Sequence, residues 1–260
     1  MENIHPTAII HPEASIGKDV TISPYSWINK NVTIGDNSQI GSHTVLLPGT
    51  HIGKECKVLH HAVLGEIPQD LKFGGETTTV EIGDRTTIRE FVTVNRGTKD
   101  HWKTVVGSDC LIMAYAHIAH DCIVGNNVIM ANAVNLSGHV EIENWAIIGG
   151  MVGVHQFVKI GQHSFIGGHY RVTKDIPPYI IAAGEPIAYH GINIIGLRRR
   201  GFTSETIRTI KQIYQLIFRS DYNVSDAIEK IENEGKLIPE IQNVVKFIKN
   251  SERGIIKGVG

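Results

Sequence analysis

Residues 106–136 read VGSDCLIMAYAHIAHDCIVGNNVIMANAVNL, and an aliphatic side chain falls on every sixth position: Val106, Ile112, Ile118, Val124, Met130 and Leu136. The same phase extends back through Val94, Ile88 and Ile82, then through Leu64, Val58 and Ile52 to Ile10. It extends forward through Ile142, Ile148, Val154, Ile160 and Ile166 to Val172. Only Asp70, Glu76 and Asp100 break the series. Aliphatics make up roughly a quarter of an ordinary chain, so chance does not produce such a run. A second register sits two residues earlier and holds small or β-branched residues, among them Ala8, Val20, Ser26, Thr44, Ala116 and Val128. These suit a tight interior. Glycine often follows the aliphatic, as at Gly17, Gly35, Gly53, Gly125 and Gly161, where a corner with positive φ is expected.

Period six resembles the hexapeptide repeat of parallel β-helices. The expected fold is therefore mainly β: a left-handed parallel β-helix over residues 1–178, followed by a connector and a small C-terminal α-helical domain over 179–260. Three hexapeptides make one coil of about 18 residues, and coils stack about 4.8 Å apart. Left-handedness comes from the resemblance alone, since crossovers are usually right-handed. Loop insertions are expected near 65–81 and 97–104, where the repeat lapses, and such interruptions are often functional. Past Pro177-Pro178 residues 179–200 look irregular. Helical spacing begins near Thr203, with further helices near 223–234 and 238–250. Cys56, Cys110 and Cys122 occupy the inward small register and read as buried small hydrophobes, which argues against a cysteine nucleophile.

Hydrophobic residues form 42% of the 260-residue chain and the formal net charge is −1. That balance argues against bulk nucleic-acid or membrane-surface binding. Residues 186–260 carry 12 Lys and Arg against 8 Asp and Glu, and residues 1–185 carry 13 against 18, so the tail is net +4 and the body net −5. No basic and apolar leader opens the sequence, and no apolar run approaches the ~20 residues of a membrane span. With three cysteines, no disulfide framework is suggested. The expected compartment is the cytoplasm.

His117, His120, His139, His155, His163 and His169 fall outside both inward registers and are expected on outer faces or near corners. Positions 18 apart stack, so Gly138 should lie one coil over His120, with His139 beside it. An imidazole can act as general base near neutral pH. A glycine N–H can bind a developing oxyanion. The pairing suits acyl transfer to a hydroxyl. A rival reading takes His117-x-x-His120 with His139 as zinc ligands, as in β-helix carbonic anhydrases. A third is a non-catalytic binding module.

Ala116–Cys122, Gly138-His139-Val140, Ile148–Met151 and Val154–Phe157 together resemble the UDP-N-acetylglucosamine O-acyltransferase family of lipid A biosynthesis. So do Gly65-Glu66, Pro68–Lys72, Asn193 and Gly196–Phe202. The resemblance spans essentially the whole chain. It implies His120 as general base, Asp121 as its positioning partner and the Gly138 N–H as oxyanion donor. It implies that Asp70, Lys72, His117, His139, His155 and Gln156 hold the sugar nucleotide or the acyl-phosphopantetheine arm. Asn193, Arg199 and Arg200 would face the uridine diphosphate, where guanidinium groups suit phosphates. Gly168 would limit acyl length, its lack of a side chain leaving room for a longer chain, of fourteen carbons or more. No metal or cofactor is implied. The implied partners are UDP-N-acetylglucosamine and an acyl carrier protein bearing a 3-hydroxyacyl chain, with sites in clefts of a homotrimer. Two positions depart from the pattern: Asn95 where some members carry His, and Ile195 where some carry an acidic residue. The second leaves open a 3-amino acceptor. The later N-acyltransferase of the pathway is a further alternative, but it carries an extra domain ahead of its repeat.

Overall fold

The computed structural model describes residues 3–234 and 237–258. Among the described residues the chain winds as a left-handed β-helix whose three faces are sheets of 12, 9 and 8 short strands, parallel throughout the coils. Adjacent coils pair 18 residues apart, as in Trp27↔Val45 and Ile123↔Glu141. The aliphatic of each hexapeptide points inward, and Ile28, Leu46, Ile88, Ile118 and Ile148 are fully buried. Burial of a side chain of this size stabilises by about 1.5–3 kcal/mol. The small register fills the gaps between them. Several of its hydroxyls donate to wall carbonyls: Ser38 Oγ to Gly53 O at 2.9 Å and Thr44 Oγ1 to Leu59 O at 3.0 Å. Thiols take the same place, with Cys110 Sγ 3.1 Å from Gly125 O and Cys122 Sγ 3.1 Å from Ser137 O. Burial pushes the Cys122 thiol up to about 12, so it stays a thiol and is no nucleophile.

The corners differ from the sequence expectation. Positive φ falls three residues after the aliphatic, at Asp19, Tyr25, Asn31, Asn37 and His43, with values between 54° and 60°. The glycine directly after the aliphatic answers a different demand. A Cβ on Gly35 would lie 2.6 Å from the Gly53 carbonyl, and one on Gly17 would lie 2.7 Å from Asp36 N. Those glycines let coils approach, not turn.

Two loops leave the wall, between strands Val63–Glu66 and Thr79–Ile82 and between Thr93–Asn95 and Lys103–Val106. Across the first loop Lys57 pairs with Thr87, 30 positions on, and across the second Thr87 pairs with Leu111, 24 on. The excesses over 18 are 12 and 6, whole numbers of hexapeptides. That is why the aliphatic phase survives both breaks, and why the three failed slots, Asp70, Glu76 and Asp100, all lie in the loops.

Residues 179–200 are ordered, contrary to the irregular reading. Strand Ile180–Ala183 continues one sheet beside Phe165–Ile166 and then pairs antiparallel with Ala188–Ile192. These two strands abandon the six-residue phase, so the repeat gives no sign of them. Among the described residues four helices follow: α1 (Ile194–Arg199), α2 (Ser204–Arg219), α3 (Val224–Glu234) and α4 (Pro239–Lys249). Thr203 caps α2 by accepting from Thr206 N at 3.1 Å. The buried face of α2 carries Ile207, Ile210, Tyr214 and Ile217, and Tyr214 OH donates to Pro178 O at 2.8 Å. That bond fastens the helices to the end of the prism. No helix among the described residues is long and apolar enough to cross a membrane.

Candidate active site

One corner of the prism gathers the chemistry. Asp121 sits there with φ 58° and is fully buried. Its carboxylate accepts from His120 Nδ1 at 2.8 Å, from Thr98 N at 2.9 Å, from Thr98 Oγ1 at 2.7 Å and from His101 N at 3.2 Å. Burial alone would raise this carboxyl, but the hydrogen bonds from His120 and Thr98 outweigh it and hold the group far below the usual carboxylate range. Asp121 is therefore ionised, an acceptor only. His120 must carry its proton on Nδ1, which leaves the Nε2 lone pair outward as a base.

Directly above that nitrogen lies Gly138. A Cβ built there would fall 2.5 Å from His120 Cε1 and 2.7 Å from Nε2, so only glycine fits over the ring. The backbone N–H at this place in the hexapeptide points out of the ladder. At some coils a side chain from the next coil caps it: Asp36 Oδ1 takes Lys18 N, Asp84 Oδ1 takes Lys54 N and Asn144 Oδ1 takes Asn126 N, at 2.7–2.9 Å. Gly138 N–H has no acceptor among the described residues. An outward amide beside a poised base is an oxyanion donor in waiting.

Around this corner a cleft of about 550 Å3 is walled by Asp70, Lys72, Phe73 and Glu76 on the first loop, Thr98, Lys99 and Asp100 on the second, and His139 and Phe157. Asp70 Oδ1 accepts from Lys72 N at 2.9 Å, which shapes the first loop into a local turn. Asn95 is buried and donates from Nδ2 to Ile67 O at 3.0 Å, tying that loop to the wall. His139 packs edge-on against His120 at 5.1 Å and stacks on Phe157 at 4.5 Å. Burial lowers the His139 imidazole and Asp121 partly opposes this. His117 Nδ1 lies 2.7 Å from Thr93 Oγ1; burial, then His120, lower its pKa. His117 is in neither group of converging ligand atoms among the described residues. Gln156 lies one coil above Gly138, and His155 Nδ1 is 3.1 Å from Gln156 O.

The other expected site residues stand apart. Asn193 is buried, donates from Nδ2 to His163 O at 2.9 Å and accepts from Gly196 N at 3.1 Å, so its amide caps α1. Arg199 is exposed at the end of α1, and Arg200 lies over Trp145 at 5.1 Å. None of the three lines the cleft. Gly168 abuts Gly150, whose carbonyl a Cβ would meet at 3.1 Å. Ile195 is 67% exposed. Thr98, His101 and Thr93 were not foreseen; the only signal for the first two was the lapse of the repeat.

His163 sits at a corner, with φ 56°, but is buried there between Trp145 and Tyr179, with Phe202 edge-on at 5.0 Å. Burial, with Arg200 adding to it, lowers its pKa from 6.5 to about 4. The unfolded chain then binds the proton first. The protein should lose stability as pH falls from about 6.5 towards 4, by up to about 3 kcal/mol. Thermal melts against pH should show that slope, and His163→Phe should flatten it.

The prism of hexapeptides places the chain among the hexapeptide-repeat transferases. Residues 31–66 and 103–138 match the bacterial transferase hexapeptide model, and residues 175–256 match domain 2 of UDP-N-acetylglucosamine O-acyltransferase. The acyl-[acyl-carrier-protein]--UDP-N-acetylglucosamine O-acyltransferase of Thiobacillus denitrificans is 49% identical across 99% of this chain and 100% of its own length. That of Burkholderia lata is 48% identical with the same coverage. Among solved structures, the Bacteroides fragilis UDP-N-acetylglucosamine acyltransferase superposes with a TM-score of 0.95 at 50% identity, over 97% of this chain and 99% of that one. The chain belongs to the UDP-N-acetylglucosamine O-acyltransferase family.

Proposed function

We propose that this protein moves a 3-hydroxyacyl chain from acyl carrier protein to the 3-hydroxyl of UDP-N-acetylglucosamine, the first step of lipid A biosynthesis. The observation that carries the reading is the Asp121–His120 pair, bonded at 2.8 Å, beneath the uncapped Gly138 amide. His120 Nε2 takes the proton as the sugar hydroxyl attacks the thioester carbonyl. The Gly138 N–H receives the oxyanion. Collapse expels the phosphopantetheine thiolate, which takes the proton back from His120. Transfer is direct, in keeping with three buried thiols.

To Asp70, Lys72, His117, His139, His155 and Gln156 we assign the hold on the sugar nucleotide or the pantetheine arm; Asp70, Lys72 and His139 line the cleft. Asn193, Arg199 and Arg200 lie outside the cleft of their own chain, so we assign their contact with the uridine diphosphate to the cleft of a neighbouring subunit in a homotrimer. The net positive tail favours encounter with an acidic carrier protein. The setting is cytoplasmic and no metal or cofactor takes part. A 3-amino acceptor is the second reading, favoured by Ile195 at a place where some members carry an acid.

Mass spectrometry of products from UDP-N-acetylglucosamine and a panel of 3-hydroxyacyl carrier proteins tests this. A 3-O-acylated product is expected, with the longer donors preferred if Gly168 sets chain length. Product with the 3-amino sugar only would replace the first reading by the second.

A further inference from the structure

Asp100 and His139, which line the cleft, and His101 beside them bring three ligand atoms close together. Asp100 Oδ2 is 3.1 Å from His139 Nδ1 and 3.7 Å from His101 Nε2, and all three atoms lie within 4.8 Å of one another. Tetrahedral zinc holds nitrogen and oxygen at about 2.0–2.2 Å, which spaces neighbouring ligand atoms by about 3.3–3.6 Å. The two shorter edges bracket that spacing.

Two further observations point to a cation. His139 Nδ1 is buried yet has no hydrogen-bond partner among the described residues. His101 Nδ1 lies 3.2 Å from the Asp121 carbonyl. A carbonyl only accepts, so Nδ1 carries the proton and Nε2 offers its lone pair towards Asp100. That is how metal-binding imidazoles are commonly oriented. A second triad, His120, Asp121 and His139, also converges. There the Asp121 oxygens already take donors from His120 and Thr98, which a cation would have to displace. The Asp100 carboxylate accepts no hydrogen bond among the described residues.

We propose that Asp100, His101 and His139 form a site for a zinc-class divalent cation, and that its occupancy slows acyl transfer. Asp100 and His139 line the cleft, so an ion held there would be reached from it. Magnesium is excluded by its preference for oxygen ligands in octahedral geometry. With a metal on Nδ1, His139 keeps its proton on Nε2, which lies 3.8 Å from Asp121 Oδ2. Metal-bound imidazoles donate that second proton to carboxylates, so the occupied site competes with His120 for the group that orients it. The regulatory half rests on the acyltransferase reading; the binding half does not.

The test is calorimetric titration of zinc chloride into the full chain, with magnesium chloride as control. One zinc per chain is expected, with affinity lowered tenfold or more in both Asp100→Asn and His101→Gln. Both variants keep the backbone N–H of residue 101 that Asp121 uses. No saturable zinc binding, or binding undiminished in both variants, overturns the site. In the acyl-transfer assay zinc should inhibit the wild type, and at least tenfold more zinc should be needed with either variant. Binding without inhibition overturns the regulatory half. Absence of transfer in zinc-free buffer refutes the enzymatic reading, while the titration still decides the metal site.

Discussion

His120→Ala should lower turnover by about 10^2–10^4-fold, the range general-base catalysis contributes, while leaving the fold intact. Nothing else in the corner can replace the base. Asp121 is buried and its oxygens are filled by donors from His120, Thr98 and His101. His139 is near, but its Nε2 faces Asp121 from 3.8 Å and its ring lies edge-on to His120. The His120 side chain is only 14% exposed and donates to the buried Asp121 carboxylate, so its truncation should cost stability as well as turnover. Single-turnover rates beside a thermal melt separate the two effects. Near-normal turnover with an unchanged melting temperature would sink the assignment of the base.

The second large effect is expected from the smallest change available. Gly138→Ala adds one methyl group where the structure leaves none to spare, 2.5 Å from His120 Cε1. Contacts under about 3 Å between carbons are strongly repulsive, so the imidazole must swing aside. The swing breaks the 2.8 Å bond to Asp121 and carries Nε2 away from the amide. Base and oxyanion donor are then damaged together, and a loss of at least the 10^2–10^3-fold attached to one oxyanion donor is expected. Because ring and amide fail as a unit, His120→Ala with Gly138→Ala should be little worse than His120→Ala alone. Strictly multiplicative losses in that double variant would refute the shared mechanism.

The β-helix was legible because its core is one-dimensional: each inward slot meets only its counterpart one coil away, so a period in sequence is a column in space. The stack of His120 beneath Gly138 followed from that arithmetic. What followed less well lies where the column rule stops. Strands 180–183 and 188–192 pair with the prism but leave its phase. His163 obeys the rule for an outward residue, yet Phe202 and Tyr179 cover it, and only tertiary packing reveals that. Thr98 and His101 hold Asp121 from a loop whose path no periodicity fixes. The corner glycines were found for the wrong reason: their need is the backbone 2.6 Å beyond a missing Cβ, not their own φ.

The corner that holds Asp121, His139 and Phe157 steps up the prism by one coil per residue named, and the rise between coils is set by the strand ladder at about 4.8 Å. Base and amide are thus separated by a lattice constant. Such a spacing has no fine adjustment: the ladder either keeps its register or slips by a whole rung. Variation in donor or sugar is then open to what surrounds the rungs, the loops at 67–78 and 96–102 and the helices, while the distance from His120 to the Gly138 amide stays fixed by the ladder.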